Sequence, residues 1–297
     1  MALDSSVFKT RAKTAFFYAV IMLTGLLWNE WSFFILFSVV HFGCWYEFQK
    51  LSVMIDPTYK QKRVIDRVVF PLFGWSFMLI ATMGKLEIMG VHLHVVGLWL
   101  LRICLFLLPA QLLLYKNYSY KHFLRSMTGV LYVSVALGLL ISLRSGWIWG
   151  FKHEGTSFPN AMAIFNGQII VILLIVSIWI NDTMAYIVGS LIGKTPLTKW
   201  SPKKTWEGTV GGILLCIGIA ELITFLAKMD TLELVVLVAT AAISGTIGDL
   251  VESKFKRLAN VKDSGKFMPG HGGFLDRFDS ILFAAPIVWL ICYILYR

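Results

Sequence analysis

Charge is what this sequence has least of. Only 15% of its 297 residues are Asp, Glu, Lys or Arg, against about 25% in ordinary soluble domains. With 57% hydrophobic residues and a mean hydropathy of +0.72, that shortage excludes a soluble globular protein and leaves an integral membrane protein. Cysteine is scarce too. Cys44, Cys104, Cys216 and Cys292 lie far apart inside apolar runs and form no C-x-x-C pair, so a zinc site and a disulfide framework drop out and core packing remains. Internal repeats and low-complexity segments are missing. Residues 1–13 are polar, and the apolar run behind them lacks the small-residue cleavage site of a signal peptide.

What is present is a series of apolar runs parted by polar loops. They predict an all-α polytopic membrane protein of about nine spans, near 14–28, 31–49, 68–84, 91–115, 126–143, 161–180, 206–227, 232–248 and 274–296. Trp28, Trp31, Trp45, Trp147, Trp149, Trp200 and Trp206 fall near the proposed ends, where interfacial aromatics sit. With the N-terminus in the cytoplasm, 21 of the 27 Lys and Arg fall on the cytoplasmic side and five on the other, with Arg102 inside a span. That asymmetry follows the positive-inside rule and supports nine spans. The net charge of +10 is then better explained by loops facing anionic lipid than by nucleic acid. A soft boundary near residue 160 divides an N-terminal transmembrane region, 1–160, from a C-terminal region, 161–297, that carries the chemistry.

Charge of both signs collects between Ser244 and Asp279, which holds five of the seventeen acidic residues: Asp249, Glu252, Asp263, Asp276 and Asp279. Asp249 and Glu252 stand at i, i+3 with Ser253 at i+4 from Asp249, one face of a helix. Gly245 and Gly248 would admit a neighbouring helix or a ligand there. A solvated helix of alternating charge accounts for Glu252 and Lys256 but poorly for Asp249. Further on, Gly270-His271-Gly272-Gly273 permits a close backbone approach, and Asp276 and Asp279 enter the last span with Arg277. Two carboxylates and a guanidinium at a membrane entrance point to Mg²⁺ and phosphates, whereas an intramembrane ion pair of Arg277 with an Asp is the plainer structural alternative. His271 serves equally as a turn residue or a phosphate donor.

Two upstream tracts are less specific. Asn181-Asp182-Thr183 follows twenty largely apolar residues; Asp182 faces a polar cavity or N-caps the next helix. Lys203 and Lys204 precede an apolar helix and make an anion site at its N-terminus. Taken alone, the pair reads more simply as a positive-inside anchor, with Glu207 tilting toward the site. Gly189–Thr195 imitates a P-loop but has one residue too few between its glycines and follows a membrane helix, so it is rejected.

The run Ser253-x-Phe255-Lys256-Arg257-x₄-Lys262-Asp263-x-Gly265-x₂-Met268-Pro269-x-His271-Gly272-Gly273-Phe274-x-Asp276-Arg277-Phe278-Asp279 resembles the C-terminal pattern of the phosphatidate cytidylyltransferases, or CDP-diacylglycerol synthases. Ser201-Pro202-Lys203-Lys204-Thr205-x-Glu207-Gly208 is similar to that family's upstream element, and the resemblance fades before about residue 160. It implies a reaction in which CTP and phosphatidic acid give CDP-diacylglycerol and pyrophosphate, with Mg²⁺ and room for a second cation. It further implies a paired metal centre on Asp249 and Asp276 in a cytoplasm-facing funnel. Asp279 and Arg277 join the catalytic set, and Lys203, Lys204, Ser253, Lys256, Arg257, Lys262 and His271 bind substrate. The expected partners are CTP, phosphatidic acid and membrane lipid, not nucleic acid, with a homodimer left open. A bacterial inner membrane is the expected location, because the chain is compact and lacks a long N-terminal extension.

Two other readings compete. A CTP-dependent polyprenol or dolichol kinase would release CDP instead of pyrophosphate. An ion-coupled transporter would use Asp182, Asp249, Asp276 and Asp279 as coupling-ion ligands, but the acids crowd one half and nine spans do not divide equally. The absence of any Asp-Gly dipeptide and any Asp-Asp pair argues against a CDP-alcohol phosphotransferase.

Overall fold

The computed structural model describes residues 5–61, 64–114, 119–146, 167–227, 232–265, 267 and 272–295. They are overwhelmingly helical. In chain order the helices are α1 (Ser5–Leu27), α2 (Glu30–Ile55), α3 (Val64–Ala81), α4 (Leu93–Leu114), α5 (Tyr120–Gly129), α6 (Ala136–Ser145), α7 (Gly167–Ile192), α8 (Trp206–Leu226), α9 (Leu232–Leu258) and α10 (Leu275–Leu295). One short hairpin, β1 (Glu87–Ile88) with β2 (Val91–His92), links α3 to α4. A π-helical turn, Val130–Val135, joins α5 to α6, so that Tyr120–Ser145 forms one apolar rod of 26 residues.

Among the described residues six helices are long and apolar enough to cross a membrane: Leu93–Ala110, Tyr120–Ser145, Gly167–Ile192, Trp206–Leu226, Leu232–Leu258 and Leu275–Leu295. Phe16–Leu27 and Arg67–Ala81 are apolar but shorter. The chain is therefore a multi-pass helical membrane protein. It folds as two compact units, one taking the chain up to Ile141 together with Phe255–Phe278, the other taking Ser142–Lys254 and the chain from Asp279 onward.

In the first unit, α2 starts where Asn29 caps it. Asn29 Oδ1 accepts from the Ser32 amide while Ser32 Oγ accepts from the Asn29 amide, a reciprocal capping box. Phe33, Phe37, Cys44, Trp45 and Leu51 then form a buried stripe along α2. Polar groups inside this core are matched to one another. Ser134 Oγ, in the π-helical turn, receives Trp45 Nε1–H at 2.8 Å and meets His41 Nε2 at 2.9 Å. Gly74 of α3 passes so close to Ser134 that any side chain there would displace it.

In the second unit α7 and α8 pack backbone to backbone. Gly208 and Gly212, four residues apart, lie against Ala185 of α7, where a Cβ on either would come within 2.7 Å of it. Cys216 and Ala220 of α8 close a core with Leu234, Val238 and Ala242 of α9. Gly245 and Gly248 admit a neighbouring helix, as their spacing suggests: Gly248 lies against the Asp279 carbonyl and Phe283 of α10, and Gly245 against Ile178 of α7.

Helix lengths bring one correction. The apolar run expected to end at 180 continues as unbroken helix to Ile192, so Asp182 is mid-helix and caps nothing. The polar loop begins only at Gly193.

Candidate active site

The loop between α7 and α8 folds as a small closed hairpin. Leu197 N–H donates to Lys204 O at 2.7 Å and Trp206 N–H to Thr195 O at 2.9 Å. Thr205 caps α8 by accepting from Gly208 N–H at 3.1 Å. Glu207 ties the base of the loop, its carboxylate accepting the Lys194 and Thr195 amides, each at 3.2 Å. The acid that sequence reasoning credited to an anion site is thus a fastener, closing the base of the loop that carries Lys203 and Lys204.

Both lysines line a cavity of about 380 Å³ whose walls include Asn181, Asp182, Thr246 and Asp249. Lys204 Nζ is ion-paired with Asp249 Oδ2 across it. Burial alone would lower the Lys204 pKa, but the carboxylate of Asp249, with the further charges of Asp182 and Asp279, outweighs burial, and the pKa is raised. Asn181, also in the cavity wall, is 1% exposed. Its Nδ2 donates to Thr246 Oγ1 at 3.0 Å, and its Oδ1 is buried without a hydrogen-bond partner among the described residues.

Asp249 belongs to a second grouping as well. Because Gly248 lets α10 approach α9, ligand oxygens of Asp249, Glu252 and Asp279 come within 4.8 Å of one another. Asp249 is half-buried and the other two are buried. Glu252 is 0% exposed, which overturns its reading as part of a solvated, charge-alternating face. Ser253 Oγ, one turn below, donates to Asp249 Oδ1 at 3.3 Å. Three carboxylates at this spacing fit a hard divalent cation such as Mg²⁺, which takes oxygen ligands only and leaves positions for substrate oxygens. Among the described residues this is the grouping whose chemistry matches the expected metal.

The first unit holds the remaining acids and bases. Lys256 Nζ donates to Asp276 Oδ1 at 2.7 Å, an ion pair that ties the end of α9 to the start of α10. Asp276 Oδ2 accepts from Gly273 N–H at 2.8 Å and Ser264 N–H at 2.9 Å, and Ser264 Oγ stands 2.9 Å from the same oxygen. Gly272 adopts φ +84°, the left-handed region that glycine enters without cost, and thereby turns the chain into α10. Arg277 and Lys262 are exposed. Arg257, also exposed, donates from Nη1 to Val261 O at 3.1 Å. His271 lies outside the described residues.

Sequence reasoning missed Glu47. It stands in α2, 3% exposed, and its Oε2 accepts Ser264 Oγ–H at 2.6 Å and Leu275 N–H at 2.9 Å. A signal was present. An acid within an apolar span is expensive and has a partner, an argument applied above to Asp182 and equally applicable to Glu47. Ser264 was passed over because it occupies an unspecified position of the motif.

An apolar helical frame that buries acids and lysines around a cavity defines a membrane protein built to hold charged groups. The chain belongs to the cytidylyltransferase family, whose pattern it matches over residues 9–295. It is similar to the phosphatidate cytidylyltransferase of Bacillus subtilis, at 31% identity over 223 residues, 74% of this chain and 76% of that protein. The phosphatidate cytidylyltransferases of Thermotoga maritima and Synechocystis sp. are 40% and 38% identical over 136 and 155 residues, 42% and 52% of this chain. Those two matches span about half the relatives' length, 49% and 50%.

Proposed function

We propose that this chain is a Mg²⁺-dependent phosphatidate cytidylyltransferase, converting CTP and phosphatidic acid to CDP-diacylglycerol and pyrophosphate in phospholipid synthesis. Family membership supports the reaction class, and the phosphatidate cytidylyltransferases it resembles supply the substrate pair. The single observation that carries the site is the cavity that Lys203, Lys204, Asp182 and Asp249 line together. Cations beside carboxylates suit a nucleotide triphosphate accompanied by its metal. Nine spans, a cytoplasmic N-terminus, a cytoplasm-facing site, a bacterial inner membrane and a homodimer are the finer parts of the proposal and rest on the loop charges and the resemblance.

The chemistry needs no general base. A phosphate oxygen of phosphatidic acid attacks the α-phosphorus of CTP, a new P–O bond forms, and the bond to the β-phosphate oxygen breaks with pyrophosphate leaving. Lys203 and Lys204 hold and neutralise the triphosphate, and Arg257, Lys262, Arg277 and His271 are proposed to add further donors to its oxygens. Asp249, Glu252 and Asp279 are the set that would hold Mg²⁺, and Asp276 is retained as a ligand on the resemblance. When bound, the metal neutralises charge on the transferring and leaving phosphates. Ser253 fixes the rotamer of Asp249.

Purified protein in detergent releases pyrophosphate from CTP only with phosphatidic acid and Mg²⁺ together. Release of CDP would favour the lipid kinase, and uptake into liposomes without CTP turnover would favour the transporter.

A further inference from the structure

Glu47 is separated from Ser264 by more than two hundred residues, yet its Oε2 accepts hydrogen bonds from both Ser264 and Leu275. Backbone choice follows this carboxylate. A Cβ on Gly265 or on Gly273 would fall inside the Glu47 carboxyl group, so both positions must be glycine for the acid to fit between them. Phe48, the next residue of α2, stacks on Phe255 with ring centroids 5.4 Å apart, fixing α2 against the end of α9 within the same unit.

Ser264 connects Glu47 to Asp276. Its Oγ lies 2.6 Å from Glu47 Oε2 and 2.9 Å from Asp276 Oδ2, and its amide donates to the same Oδ2. Leu275 N–H, bound to Glu47, immediately precedes Asp276 in the chain. Glu47 therefore reaches Asp276 by two routes, one through the serine hydroxyl and one through the backbone. The other oxygen of Asp276 then meets Lys256 Nζ.

We propose that Glu47 is a positioning residue for the reaction: acting through Ser264, it sets the carboxylate of Asp276, and with it the Lys256 ammonium, in the geometry that metal and phosphates require. This rests on the reading above that places Asp276 at the metal. Glu47 itself touches no substrate. A buried carboxylate that orients another acid does the work of an outer ligand shell, whose removal typically costs ~10- to 100-fold in metal affinity or activity.

The test compares Ser264→Ala, Glu47→Leu, Glu47→Gln and Asp276→Asn in full-length protein purified in detergent. Turnover is measured as pyrophosphate release, metal binding as the loss of the free Mn²⁺ EPR signal, and folding as monodisperse elution and thermal unfolding. Ser264→Ala and Glu47→Leu are expected to lower kcat by ~10- to 100-fold and to weaken Mn²⁺ binding in the same range, with KM for CTP changing far less. Glu47→Gln, which keeps an acceptor oxygen for Ser264 and Leu275, recovers most of both losses. Should Glu47→Leu fail to fold, Ser264→Ala carries the comparison. Folded Ser264→Ala with wild-type kcat and Mn²⁺ binding overturns the proposal, as does a loss confined to thermal stability. Asp276→Asn with both readouts intact overturns it together with the placement of Asp276. A wild-type protein that binds Mn²⁺ but releases no pyrophosphate overturns the proposed reaction, while the Mn²⁺ series still decides the role of Glu47.

Discussion

Lys204 and Asp249 form an ion pair across the second unit's cavity, the lysine delivered by the hairpin before α8 and the aspartate by the middle of α9. The same carboxylate thus answers to two neighbours, the ammonium on one side and the Glu252 and Asp279 carboxylates on the other. Removing the lysine leaves acids facing acids. Lys204→Met is therefore expected to cut kcat/KM by at least tenfold and Lys204→Arg by less, since Arg keeps the charge on a longer side chain. Steady-state kinetics with CTP as the varied substrate checks this.

Titration of Lys204 has a definite sign. Its folded-state pKa lies above the ordinary 10.5, so the ion pair's contribution to stability is fully present below that value and is lost as pH rises through the folded-state pKa. The stability difference between wild type and Lys204→Met should stay constant across the neutral range and shrink only in strong alkali. Thermal unfolding at stepped pH reads it, and a difference that vanishes between pH 7 and 9 would rule the ion pair out.

Glu252 and Asp279 make a sharper case, because neither would be buried without compensation. Glu252→Gln and Asp279→Asn are each expected to weaken Mg²⁺ activation and to lower turnover by an order of magnitude or more. A chelator abolishes activity in wild type and excess Mg²⁺ restores it. Full activity in both variants would detach the cluster from the reaction.

How legible was this in the sequence? The helical frame and the membrane setting were, because long apolar runs have few other uses. Asp249 and Asp279 were legible as charges at the edge of such runs. Glu252 was not: a charge at helical spacing from Lys256 looks solvated until a second helix is laid over it, and only the closeness of Gly248 to α10 does that. Glu207 misled for a related reason. An acid beside two lysines suggests an electrostatic role, but its actual partners are backbone amides that no side-chain pattern reveals. Glu47 depends on a contact spanning most of the chain, beyond the reach of any local motif.

The glycines around Glu47 give a stability prediction. Gly273→Ala or Gly265→Ala puts a methyl group into the space of the carboxylate, and overpacking of this kind costs about 1–3 kcal/mol. Thermal unfolding in detergent should show the loss. Glu47→Ala combined with Gly273→Ala should recover part of it, and failure of the double variant to do so would mean that the close approach is not the cause.

Ser134 offers a control, because its hydrogen-bond partners Trp45 and His41 are not among the proposed site residues. Ser134→Ala removes the partner of Trp45 Nε1–H and of His41 Nε2, and a buried group left unsatisfied costs about 1–3 kcal/mol. The expected result is a lower unfolding temperature with an unaltered KM for CTP.

All four cysteines are buried thiols. Thiols enclosed by apolar side chains react slowly with polar reagents, so the native chain already provides a quiet background for thiol labelling. Single cysteines introduced into the connecting loops could be mapped with membrane-impermeant maleimides without first stripping out the native ones. The sidedness of every loop thereby becomes measurable in intact cells, on a protein whose interior packing has not been disturbed.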